Sequence, residues 1–285
     1  MVFNKLGTVT QGILQASRLI HQTTTVGTTI HSDVWRQGFF QFALLMKEYF
    51  LQVNGATLWV SEQGFGFPVI LISGGPGCYN YLEPVAALIN DMVHTICFDP
   101  RRCGRSSLTP PYDLQTAITD LDSLRKILCI EKWVVLGHSW GADVALAYAL
   151  TYPTCTRGII YLCGRGLQND NDWKDAYRRG RDAGVEIVPD FAYPINMEVN
   201  KVGNHSFQAF IKQPLLWKQV STLMAPMLAV VGSEDIRPCW PVEQITNLMP
   251  EARFEIIKGA GHYLWLTHSS QLRLILRDFR EFHVV

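Results

Sequence analysis

The chain has 285 residues, 48% of them hydrophobic and 18% charged, a balance that suits a folded protein with a substantial core. Lys plus Arg and Asp plus Glu both number 25, so no net field favours nucleic acid or an anionic membrane, and neither is expected as a partner. No run of about eighteen apolar residues exists to span a membrane as a helix. The seven cysteines lack the close pairing of a zinc site or a redox motif, which points to reduced thiols and a cytoplasmic protein.

Residues 1–46 carry Lys5 and Arg18, many threonines and, through residue 32, no acid. Without clear amphipathicity or a cleavage region, they read as an N-terminal extension rather than a transit peptide. Regular patterning begins near Glu48. Tyr49 to Val53, Asn54-Gly55 and Ala56 to Ser61 predict a hairpin, with Asn-Gly supplying the two positive-φ residues of a type I′ turn. Short continuous apolar runs then alternate with helical periods. The runs are Pro68 to Ile72, His94 to Phe98, Trp133 to Leu136, Gly158 to Leu162, Met227 to Val231 and Arg253 to Ile257. Strands covered on both faces lose polar alternation in this way.

Leu114, Ala117, Ile118, Leu121, Leu124, Ile127 and Leu128 form one apolar helical face. Leu272, Leu274, Ile275, Phe279 and Phe282 suggest another on a last helix. The alternation predicts an α/β fold with a mostly parallel central sheet flanked by helices. It breaks between about Arg165 and Thr222, where charges cluster and strand signals vanish. The expected organisation is therefore a core domain of residues 47–164 and 223–285, with a small helical cap inserted at 165–222.

Ser139 lies in Gly137-His138-Ser139-Trp140-Gly141, where an apolar strand gives way to the helical run Ala142 to Leu150. A serine on such a sharp turn projects its Oγ from the sheet, and the flanking glycines relieve crowding. A serine hydroxyl is a weak nucleophile at neutral pH and needs a base held by an acid. His262 follows Lys258-Gly259-Ala260-Gly261 just past a predicted strand. Asp235 follows Gly232-Ser233-Glu234 just past another, with Glu234 and Asp170 as weaker competitors. The order Ser139, Asp235, His262 is that of nucleophile, acid and base in an α/β-hydrolase. His138 is assigned to packing, and His268 to the surface at the start of the last helix. An oxyanion requires two donors. The backbone N–H groups expected to serve are those of Trp140 and of Gly75, in Ser73-Gly74-Gly75-Pro76-Gly77.

With these residues the chain resembles the serine α/β-hydrolases, and among them the proline iminopeptidase (prolyl aminopeptidase) group. The resemblance is densest in Gly74-Gly75-Pro76-Gly77, in Asp99 to Ser106 and in Gly137 to Gly141. The group usually has His where this chain has Ser73, and Gly where it has Arg102. The cap signature that in the group helps hold a substrate's free amine is not found, and Glu198 is a possible substitute for it. The resemblance implies a hydrolase with a helical cap. The residues suggest cleavage of an ester or amide in a small molecule or short peptide, without metal or organic cofactor. A carboxylesterase or lactonase lacking aminopeptidase activity is the alternative, and a non-catalytic binding protein of the same fold a more distant one. The cap aromatics Trp173, Tyr177, Phe191, Tyr193, Phe207, Phe210 and Trp217 are read mostly as a small core of their own.

Overall fold

The computed structural model describes residues 46–168 and 170–279, and structural statements below concern these. The extension expected over residues 1–46 lies outside them apart from Met46. Strands β1 (Lys47–Val53) and β2 (Ala56–Gln63) form the expected hairpin, with Asn54 and Gly55 at φ of 48° and 78°. Six more strands follow: β3 (Phe67–Ile72), β4 (Val93–Phe98), β5 (Trp133–His138), β6 (Thr156–Leu162), β7 (Met227–Gly232) and β8 (Ala252–Ile257). The sheet order is β1-β2-β4-β3-β5-β6-β7-β8. The first two pairings in that order are antiparallel and the remaining five parallel.

Alternate residues of each strand enter two apolar layers, as the twofold side-chain period requires. Ile70, Ile72, Ile96, Phe98 and Val135 face one side. There they meet helices α2 (Leu114–Ile127), α3 (Trp140–Thr151) and α7 (Trp240–Leu248). Val69, Leu71, Cys97, Val134 and Leu136 face the other side, against the short α1 (Glu83–Ala86) and the last helix α8 (Leu264–Arg277). Burying each such side chain contributes about 1.5–3 kcal/mol. Every residue of α3 from Trp140 to Ala149 is buried, so the helix that follows Ser139 is a central element with no solvent face.

Helix α2 starts where Asp113 accepts the Thr116 N–H at 2.8 Å, and Arg125 and Lys126 complement the dipole at its other end. Of its predicted face, Leu114, Ile118, Leu121 and Leu124 are buried, Ala117 and Leu128 half-buried, and Ile127, in the last turn, exposed. In α8 the buried positions are Leu264, Trp265, Leu272 and Leu276, and Leu274 is 71% exposed. The expected face is therefore rotated away from Leu274, and Phe282 lies outside the described residues. His268 is not the start of this helix but a kink within it, at φ −130° and ψ 37°.

Between β6 and β7 lie α4 (Asn171–Asp182), α5 (Met197–Phe210) and α6 (Leu216–Ser221), with no strand among the described residues. Helix α5 begins at Asn196, whose side chain accepts the Glu198 and Val199 N–H groups. Asn196 also donates its backbone N–H to Gly77 O at 2.8 Å, and Asn200 Nδ2 donates to Pro76 O at 2.8 Å. The inserted helix thus sits directly on the Gly-Pro loop that follows β3.

Candidate active site

Ser139, Asp235 and His262 all follow the carboxyl ends of parallel strands, the edge where loops from successive crossovers converge. Ser139 is half-buried, with φ 57° and ψ −125°, a conformation that costs an L-residue about 1–3 kcal/mol. The neighbours explain how the turn holds. A Cβ at position 137 would stand 2.1 Å from Gly141 O, and one at position 141 would stand 2.0 Å from Ile72 O. The strand and helix can therefore meet this closely only with glycine at both places. The Ser139 N–H donates to Leu162 O at 2.8 Å, which ties the turn to β6.

His262 Nδ1 lies 2.6 Å from Asp235 Oδ2, and both side chains are almost fully buried. Burial alone would raise the Asp235 carboxyl. The opposing pull of His262 and Arg237 outweighs it and holds the group at about 2. Arg237 donates its backbone N–H to Asp235 Oδ1 at 2.9 Å and is itself ion-paired with Glu186. With Nδ1–H given to the carboxylate, a neutral His262 keeps its lone pair on Nε2, as a general base requires. The competitors are otherwise engaged: Glu234 Oε1 accepts from Ser233, and Asp170 caps α4 through the Trp173 N–H.

His138, expected only to pack, has two hydrogen bonds. Gly74 N–H donates to Tyr81 Oη at 2.7 Å, and Tyr81 Oη lies 2.7 Å from His138 Nδ1. His138 Nε2 lies 3.0 Å from the His262 carbonyl. A carbonyl can only accept, so Nε2 carries the proton, and the Tyr81 hydroxyl donates to Nδ1. Burial, followed by the nearby His262, pushes the His138 pKa down, in keeping with this neutral tautomer. One chain of bonds thus joins the loop after β3 to the loop after β8.

The alpha/beta hydrolase fold family matches this sequence over residues 68–195. A proline iminopeptidase from Heyndrickxia coagulans is 24% identical over 82% of this chain and 99% of its own. One from Saccharolobus solfataricus is 32% identical over 42% of this chain and 46% of its own length. Among solved structures, a thermophilic esterase from Thermogutta terrifontis superposes with a TM-score of 0.68 at 20% identity, covering 84% of this chain and 100% of that one. The chain has the α/β-hydrolase fold and is similar in sequence to proline iminopeptidases.

Other polar groups of this α/β-hydrolase complete the picture. Asp99, fully buried, accepts from Asn80 N, Arg105 N and Arg105 Nε at 2.8 Å each, which folds the loop after β4. Arg101 grips Asp120 on α2 with two bonds of 2.6 and 2.7 Å. Glu198 stands in the first turn of α5, where Arg102 Nη2 lies 3.1 Å from its carboxylate. The two positions are therefore partners, and the carboxylate already has a cation. Sequence reasoning missed Tyr81 and the Arg102–Glu198 pairing, which act across segments far apart in the chain, and Arg237, which joins the neighbouring Asp235 to the distant Glu186.

The cap aromatics divide. Trp173 and Phe207 are buried, beside Tyr177 and Phe210 respectively. Phe191 instead packs on Tyr81 and Tyr263, near the His138 chain. Two groups among the described residues come within metal-ligating reach, His138 with Cys163 and His262, and Glu186 with Asp235 and His262. Both His138 nitrogens and His262 Nδ1 are already hydrogen-bonded, and burial pushes the Cys163 thiol up, so neither group offers a ready ligand set. Gly75, at φ 119°, lies in the loop after β3, whose Gly74 is the residue packed against Ser139, and Trp140 opens α3 directly after the serine.

Proposed function

We propose that this α/β-hydrolase cleaves a carboxylic ester or amide through an acyl-enzyme on Ser139. Ser139 Oγ bonds to the carbonyl carbon as its proton passes to His262 Nε2. The resulting oxyanion takes the N–H groups of Gly75 and Trp140. The bond to the leaving group then breaks, and His262 returns the proton to that group. Water repeats the sequence on the acyl-enzyme, giving its proton to His262 and releasing the acid as Ser139 regains its hydrogen. Asp235 fixes the His262 tautomer and offsets the imidazolium charge. Residues 165–222 act as the cap over this edge, and the substrate is a small molecule or short peptide. The seven free cysteines suit a cytoplasmic location.

The observation that carries the reading is the buried 2.6 Å Asp235–His262 bond on the same sheet edge as the strained Ser139 turn. A fluorophosphonate probe is expected to label the wild-type protein on Ser139. Ser139→Ala is expected to abolish labelling and hydrolysis. A folded wild-type protein that resists the probe would favour a binding protein instead. Kinship with proline iminopeptidases supports an aminopeptidase. The Arg102–Glu198 pair favours an esterase, since it occupies the carboxylate that could meet a substrate amine.

A further inference from the structure

Helix α4 of the inserted segment grips the loop that carries Asp235. Trp173, Tyr177 and Gly180 share one face of that helix. Trp173 Nε1 donates to Pro238 O at 3.2 Å, and the Tyr177 ring centre lies 5.0 Å from the Arg237 guanidinium carbon. A Cβ at position 180 would stand 2.6 Å from Ile236 Cβ, so helix and loop touch there. Just beyond the helix, Glu186 accepts from Arg237 Nη1, and the same Nη1 lies 3.1 Å from Asp235 Oδ1. We propose that Arg237 is a positioning residue for Asp235: it ties the carboxylate to the inserted segment, and Glu186 sets how much of the Asp235 charge His262 meets.

The inference rests on His262 being the base for Ser139, and it extends that reading to the residues behind the acid. The two oxygens of Asp235 have separate partners. Oδ2 meets His262 Nδ1 at 2.6 Å, while Oδ1 takes both the backbone N–H of Arg237, at 2.9 Å, and its side chain. A carboxylate held at both oxygens resists rotation away from the imidazole. Burial would favour a neutral Arg237, but Asp235 and then Glu186 outweigh it, so the guanidinium stays charged. Its charge offsets part of the charge with which Asp235 stabilises an imidazolium, and Glu186 offsets part of Arg237 in turn. The other titratable side chains facing this pair are Tyr177 from the inserted segment and Cys163, His138 and Tyr263 from the core. Burial raises the Cys163 thiol and the Tyr263 phenol and lowers His138, so all three are neutral at about pH 7. Glu234, beside Asp235 in the chain, is exposed and bonded to Ser233. Among the described residues, the charges shielded from solvent behind Asp235 are therefore those of Arg237 and Glu186.

The test follows the second-order rate of fluorophosphonate labelling from about pH 4 to about pH 9, because the probe needs no known substrate and reacts at Ser139 when His262 can take the proton. In Glu186→Gln the whole Arg237 charge bears on Asp235. The imidazolium is then less favoured, and the midpoint of the acidic limb is expected about 0.5–1 pH unit below wild type. In Arg237→Gln both carboxylates face His262 without a cation between them, and the midpoint is expected to rise by a similar amount. A purely structural role for the ion pair would lower stability in both variants without moving the midpoints in opposite directions. An unmoved midpoint in either variant, or shifts of the same sign, would overturn the proposal. Should Arg237→Gln fail to fold, Glu186→Gln decides alone, since Glu186 lies in the connection between α4 and α5, outside any helix or strand. A folded wild-type protein that does not label overturns the hydrolase reading and this inference with it, whereas one that labels with a fixed midpoint defeats only the role of Arg237 and Glu186.

Discussion

Tyr81 is the residue whose loss should be felt furthest from its own position. Its hydroxyl accepts from Gly74 N and donates to His138, and it is buried. Tyr81→Phe leaves a buried donor and a buried acceptor unpaired, each worth about 1–3 kcal/mol. Urea unfolding is expected to show a loss of at least about 2 kcal/mol, and kcat to fall while KM changes little, because the chain ends at the loop bearing Gly75 and at the His262 carbonyl. Asp235 gives a pH signature. Its ordinary value is 3.8 and its folded value about 2, a difference worth about 2 kcal/mol. A depressed carboxylate contributes this stability above pH 4 and loses it as pH falls through about 2, below which both states are protonated. The stability gap between wild type and Asp235→Asn is therefore expected to narrow as pH falls from about 5 toward about 1, read from urea midpoints. Arg102 is a milder case. It holds φ 60° and its pair with Glu198 is largely solvent-exposed, so the pair adds little to stability. Arg102→Gly relieves a backbone cost of similar size, and thermal unfolding is expected to shift by no more than a few degrees.

Helix α5 is the element on which the Gly75 loop leans. Position 203 faces Pro76, where a Cβ would approach within 2.8 Å of the ring, and Asn204 links Arg165 to Asn200, which reaches Pro76 O. Gly203→Val must push the helix and the loop apart. It is expected to cost about 1–3 kcal/mol by overpacking, and to lower kcat more than it lowers probe binding, as measured by saturation kinetics of fluorophosphonate labelling. This contact was not legible in the sequence, although both of its partners were. Five of the six apolar runs announced inner strands, β3 to β7, because burial on both faces removes alternation; the sixth, Arg253 to Ile257, is the partly exposed edge strand β8, and Asn54-Gly55 announced the hairpin. Ser139, Asp235 and His262 were legible because each follows a strand with glycine nearby. Tyr81, Arg237 and the Arg102–Glu198 pair carry no local signature. Tyr81 and the Arg102–Glu198 pair have partners tens of residues away, and Arg237 needs the distant Glu186 as well as its neighbour Asp235; in one dimension each looks like any other tyrosine or arginine. His138 shows the same limit in reverse: its position beside the serine suggested packing, whereas its two nitrogens serve two loops.

Across the whole protein, charge and surface act together on association. The formal net charge is zero at pH 7, so no long-range repulsion keeps copies apart there. The connection between α4 and α5 also exposes Val185, Ile187 and Val188, each more than half accessible. Apolar side chains clustered this way promote contact between molecules when charge does not oppose it. Static light scattering in low salt is expected to show attraction strongest near pH 7 and weakened at pH 9, where the protein carries net negative charge. Ile187→Glu adds a charge to the cluster without touching the sheet or Ser139, and is expected to raise solubility at pH 7 with folding stability within about 0.5 kcal/mol of wild type. If that variant scatters like the wild type at pH 7, the exposed cluster has no part in association, and the zero net charge alone must account for the attraction.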